Sequence, residues 1–406
     1  MITSSYPRHA GDGAGSYVRS LSRTLVRMGH AVHVVAPYDP LAVAGDDQGV
    51  VVHRFRYVPG DRWCLMGHGR SLEADTRMKR VVPLLVPPYA LAALAETLHL
   101  HRRERFDLLH GHWAVPGGAI AGVASRLLGL PLVITLHGSD VYVTEHSRAY
   151  ALAARSGYRR AGCVTAVSDD LRRRAVATGL AEATSLTIPC GVDPARYATC
   201  DAQAYRARLG IPAEAPVIGA LGRLVHKKGF THLVAAMPAV LASVPDAYCV
   251  IGGDGDLAGD LAAQARDCGL DGRILFPGHV SWEDTPAFYG MCAAVAVPSV
   301  VDAHGNVDGL PLVLLEAMAS GVPVAGSRVA GIGEVLEDDV TGLLAPPGDA
   351  GALVAVLVRL LGDGGLRARL GEAGRRAVCD AYCWEAITTR FVGVYEDLAA
   401  GRGGAG

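Results

Sequence analysis

AVAVPSVVDAHGNVDGLPLVLLEAMASGVPVA, residues 294–325, opens as an apolar run, passes through a polar loop and returns to apolar character. Ala294–Pro298 and Pro323–Ala325 read as strands. Pro311 suits the first turn of a helix, where its missing N–H is not needed. That helix is expected to carry Leu312, Leu315, Met318 and Ala319 into a core. Two carboxylates interrupt the pattern: Asp308 on the loop, and Glu316 inside the helix.

Outward from this stretch, β-branched runs alternate with helical ones. Val217–Leu221, Ala247–Gly252 and Arg273–Phe276 precede it. An earlier series holds Ala31–Ala36, Asp107–His110, Leu132–Leu136 and Cys163–Val167. Such alternation predicts parallel sheets covered on both faces. The fold class is therefore α/β, with two doubly wound, Rossmann-like parallel-sheet domains. A chain of 406 residues, half of them hydrophobic, is long enough for two such cores. The domains are expected at residues 1–200 and 201–380, with a C-terminal helix and flexible tail in 381–406. The joint belongs near IPCGVDPARY (Ile188–Tyr197) or in the polar stretch before Ile211. In the first domain Tyr17, Val18, Leu21, Leu25 and Met28 share a helical face that Gly29 ends. Only Met1 and Ile2 precede the loop TSSYPRHAGDG, so either the first strand is very short or the sequence starts late.

The opening residues lack the basic-then-apolar pattern of a secretory signal. The most apolar run, Val81–Ala95, contains Pro83, Pro87 and Pro88 and is too short and broken to span a bilayer. Nine cysteines without a C-x-x-C pair read as thiols of a reducing compartment. A cytoplasmic protein is expected, at most resting on the inner face of a membrane. Lys and Arg total 38 against 40 Asp and Glu, but the first half is basic and the second acidic. A basic half could meet an acidic acceptor or an anionic membrane face, or merely be solvated. No dense basic block calls for nucleic acid.

Val217–Leu221 leads into GRLVHKKGF (222–230). Arg223 and Lys228 place two cations around a turn beyond a strand end, where doubly wound sheets bind ligands. Such a pair suits a diphosphate, though basic loop residues are also common without a ligand. Backbone N–H groups at Gly309, Leu310 and Leu312, at the start of the helix, favour an anion. A carboxylate can accept paired hydrogen bonds from vicinal hydroxyls. Asp308 could equally be a dipole-favoured acid and Glu316 a buried structural one. Taken together the groups describe a nucleotide diphosphate sugar.

On these residues the chain resembles the retaining glycosyltransferases of family 4, which have the GT-B fold of two domains facing across a cleft. DGLPLVLLE fits the family's Glu-x7-Glu motif, with Asp308 in the first Glu position and Glu316 in the second. GRLVHKKG fits its Arg-x4-Lys motif at Arg223 and Lys228. Further likenesses are GDGAGSYV, MGHAVHVVAP, TLHGSDVY, AVSDDL, IPCGVD, VIGGDGD and TGLLAPPGD, so nearly the whole chain is covered. The resemblance implies that Glu316 binds ribose hydroxyls and Asp308 hydroxyls of the donor sugar. Gly309, Leu310, Pro311, Leu312 and Val313 would face the sugar or phosphate. Arg223 and Lys228 would carry the diphosphate, Gly13 would bring an amide to the phosphate, and His137 would approach the donor sugar. Asp12 stands where the loop's first glycine is usual, and Asp308 is one methylene shorter than the family's glutamate. Trp384 and Phe391 would anchor final helices packed on the first domain.

The implied activity is metal-independent transfer of a sugar, with retention, from a UDP- or GDP-sugar to a hydroxyl of a glycan, lipid-linked or small-molecule acceptor. No cofactor is implied beyond the donor itself. Tyr6, Arg8, His9, Asp12, Trp113 and Tyr142 are candidates to line the acceptor site. Competing readings are an inverting enzyme with His9 as general base, a non-catalytic sugar-nucleotide binder, and a sugar-nucleotide epimerase.

Overall fold

The structure, a computed structural model, describes residues 1–9, 11–43, 47–68, 79 and 81–401. Internal contacts divide the chain into Met1–Pro189 with Trp384–Gly406, and Cys190–Cys383. The first joint falls inside IPCGVDPARY and ahead of residue 200; the second follows Cys383.

In the first unit β1 (His33–Pro37) pairs in parallel with β2 (Val51–Phe55). Four more parallel strands follow in order: β3 (Leu109–His112), β4 (Leu132–Leu136), β5 (Cys163–Ala166) and β6 (Ser185–Thr187). Ile2 forms parallel bridges to both Val35 of β1 and Gly111 of β3. Its N–H donates to His110 O at 2.8 Å, its carbonyl accepts from His112 at 2.9 Å, and Thr3 N–H donates to Val35 O at 3.0 Å. Ile2 therefore holds a strand position between β1 and β3 and joins the two groups of strands. Counted from it, the order is 3-2-1-4-5-6 with one further edge strand, the doubly wound pattern.

Tyr17, Val18, Leu21 and Leu25 of helix Ser16–Arg27 are buried as their spacing requires, whereas Met28 caps the helix and is 40% exposed. The last helix, Trp384–Ala399, belongs to this unit. Trp384 sets its ring 5.3 Å from that of Tyr17, and fully buried Phe391 lies 5.5 Å from His110. Of the expected flexible tail, residues 402–406 lie outside the described residues. The proline-broken apolar run forms the start of helix Val82–Glu104, with Pro87 and Pro88 inside it. Among the described residues no helix is long and apolar enough to cross a membrane.

The second unit is one parallel sheet: β7 (Val217–Leu221), β8 (Tyr248–Gly252), β9 (Ile274–Leu275), β10 (Ala294–Val297), β11 (Val324–Ser327) and β12 (Leu343–Ala345). Their order is β12-β11-β10-β7-β8-β9, so the winding reverses between β7 and β10. Ile218, Leu233, Met237, Cys249 and Leu357 form its fully buried centre. Such a reversal opens a crevice beyond the carboxyl ends of the two strands.

Phe391→Ala is expected to destabilise the first unit by about 3–5 kcal/mol, the usual loss for a fully buried phenylalanine. Chemical denaturation of the full chain measures it, and a loss below about 1 kcal/mol would contradict the packing described for the last helix.

Candidate active site

β7 and β10 lie side by side at the winding reversal, so the loops leaving them are neighbours. After β7 the chain makes a short helical turn over His226–Lys228 and reaches Gly229 at φ 67. A Cβ on Gly229 would stand 1.9 Å from Pro298 O at the exit of β10, which only a glycine avoids. Val300 N–H donates to Lys227 O at 2.9 Å, fastening the second loop to the first. The basic segment is thereby held against the loop that carries Asp308.

Lys228 Nζ stands 2.7 Å from Asp308 Oδ2, and Lys227 Nζ 3.8 Å from Oδ1. Burial pushes the Asp308 carboxyl up, but the charges of Lys228 and Lys227, the Lys228 contact and Arg223 outweigh it and hold it below its ordinary value. Asp308 is thus an ionised group seated on cations. The resemblance assigns Asp308 to hydroxyls of the donor sugar; in the structure its carboxylate lies against Lys227 and Lys228. Arg223 is exposed at the edge of the same cluster.

Pro311 is the N-cap residue of helix Leu312–Ala319, at φ −72 and ψ 123, rather than a first-turn residue. Gly309 and Leu310 form the bend before it, and both are buried. Leu312 and Val313 supply first-turn amides that no earlier helical carbonyl can reach. Leu312 is only half-buried, and Leu314 takes the core position expected of it beside Leu315, Met318 and Ala319. Glu316 sits further along, with Oε2 accepting from Tyr289 OH at 2.8 Å. Burial raises its carboxyl above the usual value; hydrogen bonds from Tyr289 and Tyr197 and the charges of Arg196 and Lys228 recover part of the shift. A carboxylate has more lone pairs than these two tyrosines use, so this side chain can still accept hydroxyl hydrogen bonds.

Sequence reasoning missed Lys227, Tyr289 and Tyr197. Lys227 stood beside the chosen lysine in HKK; nothing local marks the two tyrosines, which reach Glu316 only through packing.

Gly13 and His137 belong to the first unit. Gly13 is exposed, and a Cβ there would meet nothing within 4 Å. Gly15 is the glycine this loop requires: its φ is 77, and a Cβ would lie 2.3 Å from Ser5 O. Asp12 accepts from Ala14 N–H at 3.0 Å and pairs with Arg8, so a carboxylate turns the loop where a glycine was usual. Of the acceptor candidates, Tyr6 is buried and its phenol donates to Asp47, and Arg8 is committed to Asp12; His9 is exposed.

His137 follows β4. Asp140, buried, accepts from the N–H groups of His137 at 3.1 Å, Gly138 at 2.8 Å and Ala114 at 2.7 Å. One carboxylate thereby fixes the loops after β3 and β4. The His137 ring packs 4.7 Å from Tyr17 and 4.4 Å from Trp113, and burial pushes its pKa down to about 3. It is neutral at ordinary pH, so it can serve by hydrogen bonding and not by charge.

Two family patterns match the chain: Glycosyltransferase Family 4 over residues 11–196, and Glycosyl transferases group 1 over 201–377. A 2-deoxystreptamine glucosyltransferase of Streptomyces kanamyceticus is 30% identical over 308 residues, covering 72% of this chain and 77% of that one. A GDP-mannose-dependent alpha-(1-6)-phosphatidylinositol monomannoside mannosyltransferase of Mycobacterium tuberculosis is 30% identical over 402 residues, covering 96% of each. In fold, the chain is similar to Anabaena Alr3699/HepE, solved in complex with UDP-glucose, with a TM-score of 0.74, 21% identity, and coverage of 98% of this chain and 99% of that one.

The raised Glu316 carboxyl fixes the sign of a pH effect. Below its unfolded-state pKa the group is protonated folded and unfolded, and burial costs nothing. As pH rises from the unfolded-state value to the higher folded one, the unfolded chain gives up its proton first and the fold loses stability, after which the loss is constant. Glu316→Gln keeps an acceptor for Tyr289 and removes the buried charge. Its Tm is expected to match that of the unaltered chain near pH 4, to exceed it as pH rises above that, and to keep a constant excess once the raised folded-state pKa is passed. A gap that does not widen from the acid end, or one of opposite sign, contradicts the assigned burial.

Proposed function

This chain belongs to glycosyltransferase family 4 and is a glycosyltransferase of GT-B type; from that membership we propose that it moves a glycosyl group, with retention, from a UDP- or GDP-sugar to an acceptor hydroxyl. The observation that carries the reading is the cation and helix-end cluster at the winding reversal of the second unit. Lys227, Lys228 and Arg223 surround the place where Asp308 now supplies the negative charge. A diphosphate brings the same charge in a larger form and competes for the same lysines. Once it binds, Asp308 is released toward the sugar hydroxyls. Gly309, Leu310, Leu312 and Val313 contribute amides, Pro311 shapes the entry to the helix, and Glu316 accepts from the ribose.

Departure of the nucleoside diphosphate concentrates charge on its terminal phosphate. The lysines and helix amides stabilise that charge as it grows. A metal ion is not needed for this in the proposed mechanism, because the same neutralisation comes from side chains. A phosphate oxygen on the donor is the acceptor hydroxyl's proton sink, on the face from which the leaving group departs. Gly13 and His137 are the residues of the first unit assigned to the donor. The relatives act with a glucosyl group in one case and GDP-mannose in the other, which supports a hexosyl donor. The acceptor is a glycan, a lipid-linked or a small-molecule hydroxyl. We place the reaction in the cytoplasm, where the basic first half of the chain suits contact with the inner face of a membrane.

Incubation with a panel of UDP- and GDP-sugars, followed by chromatography of the released nucleotide and proton NMR of the anomeric linkage, tests the proposal. An inverted linkage sinks the retaining mechanism and favours His9 as a base. Nucleotide binding without turnover on any donor supports the binder alternative. Lys228→Ala and Glu316→Ala are each expected to lower kcat/KM about 100-fold or more, whereas Asp308→Glu keeps activity within about tenfold. Unchanged kinetics in either alanine variant removes the site.

A further inference from the structure

Behind His137 lies a second histidine whose role the reaction does not yet use. His112, at the end of β3, is fully buried, and its Nδ1 lies 3.2 Å from His137 Nε2. Its other nitrogen, Nε2, is buried and has no partner among the described residues. The adjacent ring of His110 lies tilted against it, centroids 4.1 Å apart, but cannot serve that nitrogen. Both nitrogens of His110 are already bonded, Nδ1 to Tyr395 OH and Nε2 to Thr135 Oγ1, each at 2.7 Å.

Burial pushes both His112 and His137 far below the ordinary histidine range, so each ring carries one proton and one lone pair. Their contact then has two arrangements. If His137 donates from Nε2, His112 must keep its proton on its own Nε2, where a buried N–H meets no acceptor. If His112 donates from Nδ1, its Nε2 holds only a lone pair. Orphaned buried N–H groups are the rarer and costlier fault. The His137 side does not oppose the choice, since that residue is only half-buried and its far nitrogen can be served from outside.

We propose that His112 is a positioning residue for His137: its Nδ1–H holds His137 as the tautomer protonated at Nδ1, so that His137 meets its substrate as a hydrogen-bond donor. In that form His137 points an N–H at an oxygen and takes no proton from the acceptor. Tyr17 and Trp113, packed on the His137 ring, keep it from rotating away from this partner. The catalytic use of the donor rests on the reading of His137 given above; the tautomer itself does not.

The test is long-range proton–nitrogen NMR on the full chain labelled with 15N-histidine, with His137 assigned through His137→Gln. The expected spectrum shows a protonated Nδ1 and a bare Nε2 on His137. His112→Asn, whose amide N–H can replace the Nδ1 donor, keeps that pattern. His112→Leu removes the donor and shifts His137 toward protonation at Nε2. In transfer assays His112→Leu loses about tenfold in kcat/KM, the worth of one hydrogen bond, and His112→Asn recovers most of it. Protonation of His137 at Nε2 in the unaltered chain overturns the proposal, as does an unchanged pattern in His112→Leu. If the leucine variant does not fold, the unaltered chain and His112→Asn still decide it. A chain that transfers no sugar at all would refute the proposed function while leaving the tautomer result standing.

Discussion

The contact between Gly229 and Pro298 O holds the candidate site together. Two strands adjacent in the sheet, β7 and β10, send their chains in opposite winding directions, and their exits would diverge without a tie. Gly229 has no Cβ to strike the Pro298 carbonyl, and Val300 completes the tie by donating to Lys227 O at 2.9 Å. Only because these backbones touch can Lys228 reach within 2.7 Å of a carboxylate eighty residues away in sequence. The helix that follows Asp308 inherits its placement from the same tie, and with it the direction of its first-turn amides.

The first unit solves an equivalent problem with a charge. Asp140 accepts from backbone groups after β3 and after β4, and among the described residues no lysine or arginine bonds to it. Burial raises its carboxyl, and the three amides at Ala114, Gly138 and His137 oppose that shift. Amide hydrogen bonds to a carboxylate are directional, so the two loops are fixed in register as well as in distance. His137 therefore has its backbone set by Asp140 and its ring set by Tyr17, Trp113 and His112. Such double restraint is what a residue needs if it is to offer one nitrogen in one orientation.

The parts of this legible in sequence are those governed by short-range pattern. Leu132–Leu136 and Val217–Leu221 are runs apolar but for Thr135, and the structure gives them those bounds. The spacing of Asp308, Glu316, Arg223 and Lys228 was readable because a strand, a loop and a helix start fix their order along the chain. β2 escaped notice: Val51–Phe55 is half-exposed and mixes His53 and Arg54 into the strand. β6 and β12 are three residues each, too short to show alternation. The first strand was doubtful for the same reason, and only its bonds to β1 and β3 reveal it. Tyr289 and Tyr197 were invisible because their service to Glu316 is a tertiary contact with no periodic trace.

The aspartate at 308 gains a physical meaning from this arrangement. A carboxylate pressed on Lys228 and Lys227 keeps two neighbouring ammonium groups from repelling each other in the free protein, where the low local dielectric would make that repulsion costly. In the proposed reaction a diphosphate entering the cluster does not meet bare cations but exchanges with the Asp308 charge already there. The net gain from binding is then the difference between two neutralised states, smaller than the raw attraction of phosphate for lysine. That difference grows as the leaving diphosphate accumulates charge during transfer, while the displaced carboxylate keeps the charge it had. In the proposed reaction the cost of displacing Asp308 is therefore met once, when the donor binds, and weighs on ground state and transition state alike, so it raises KM while the lysines remain available to the charge that grows during transfer.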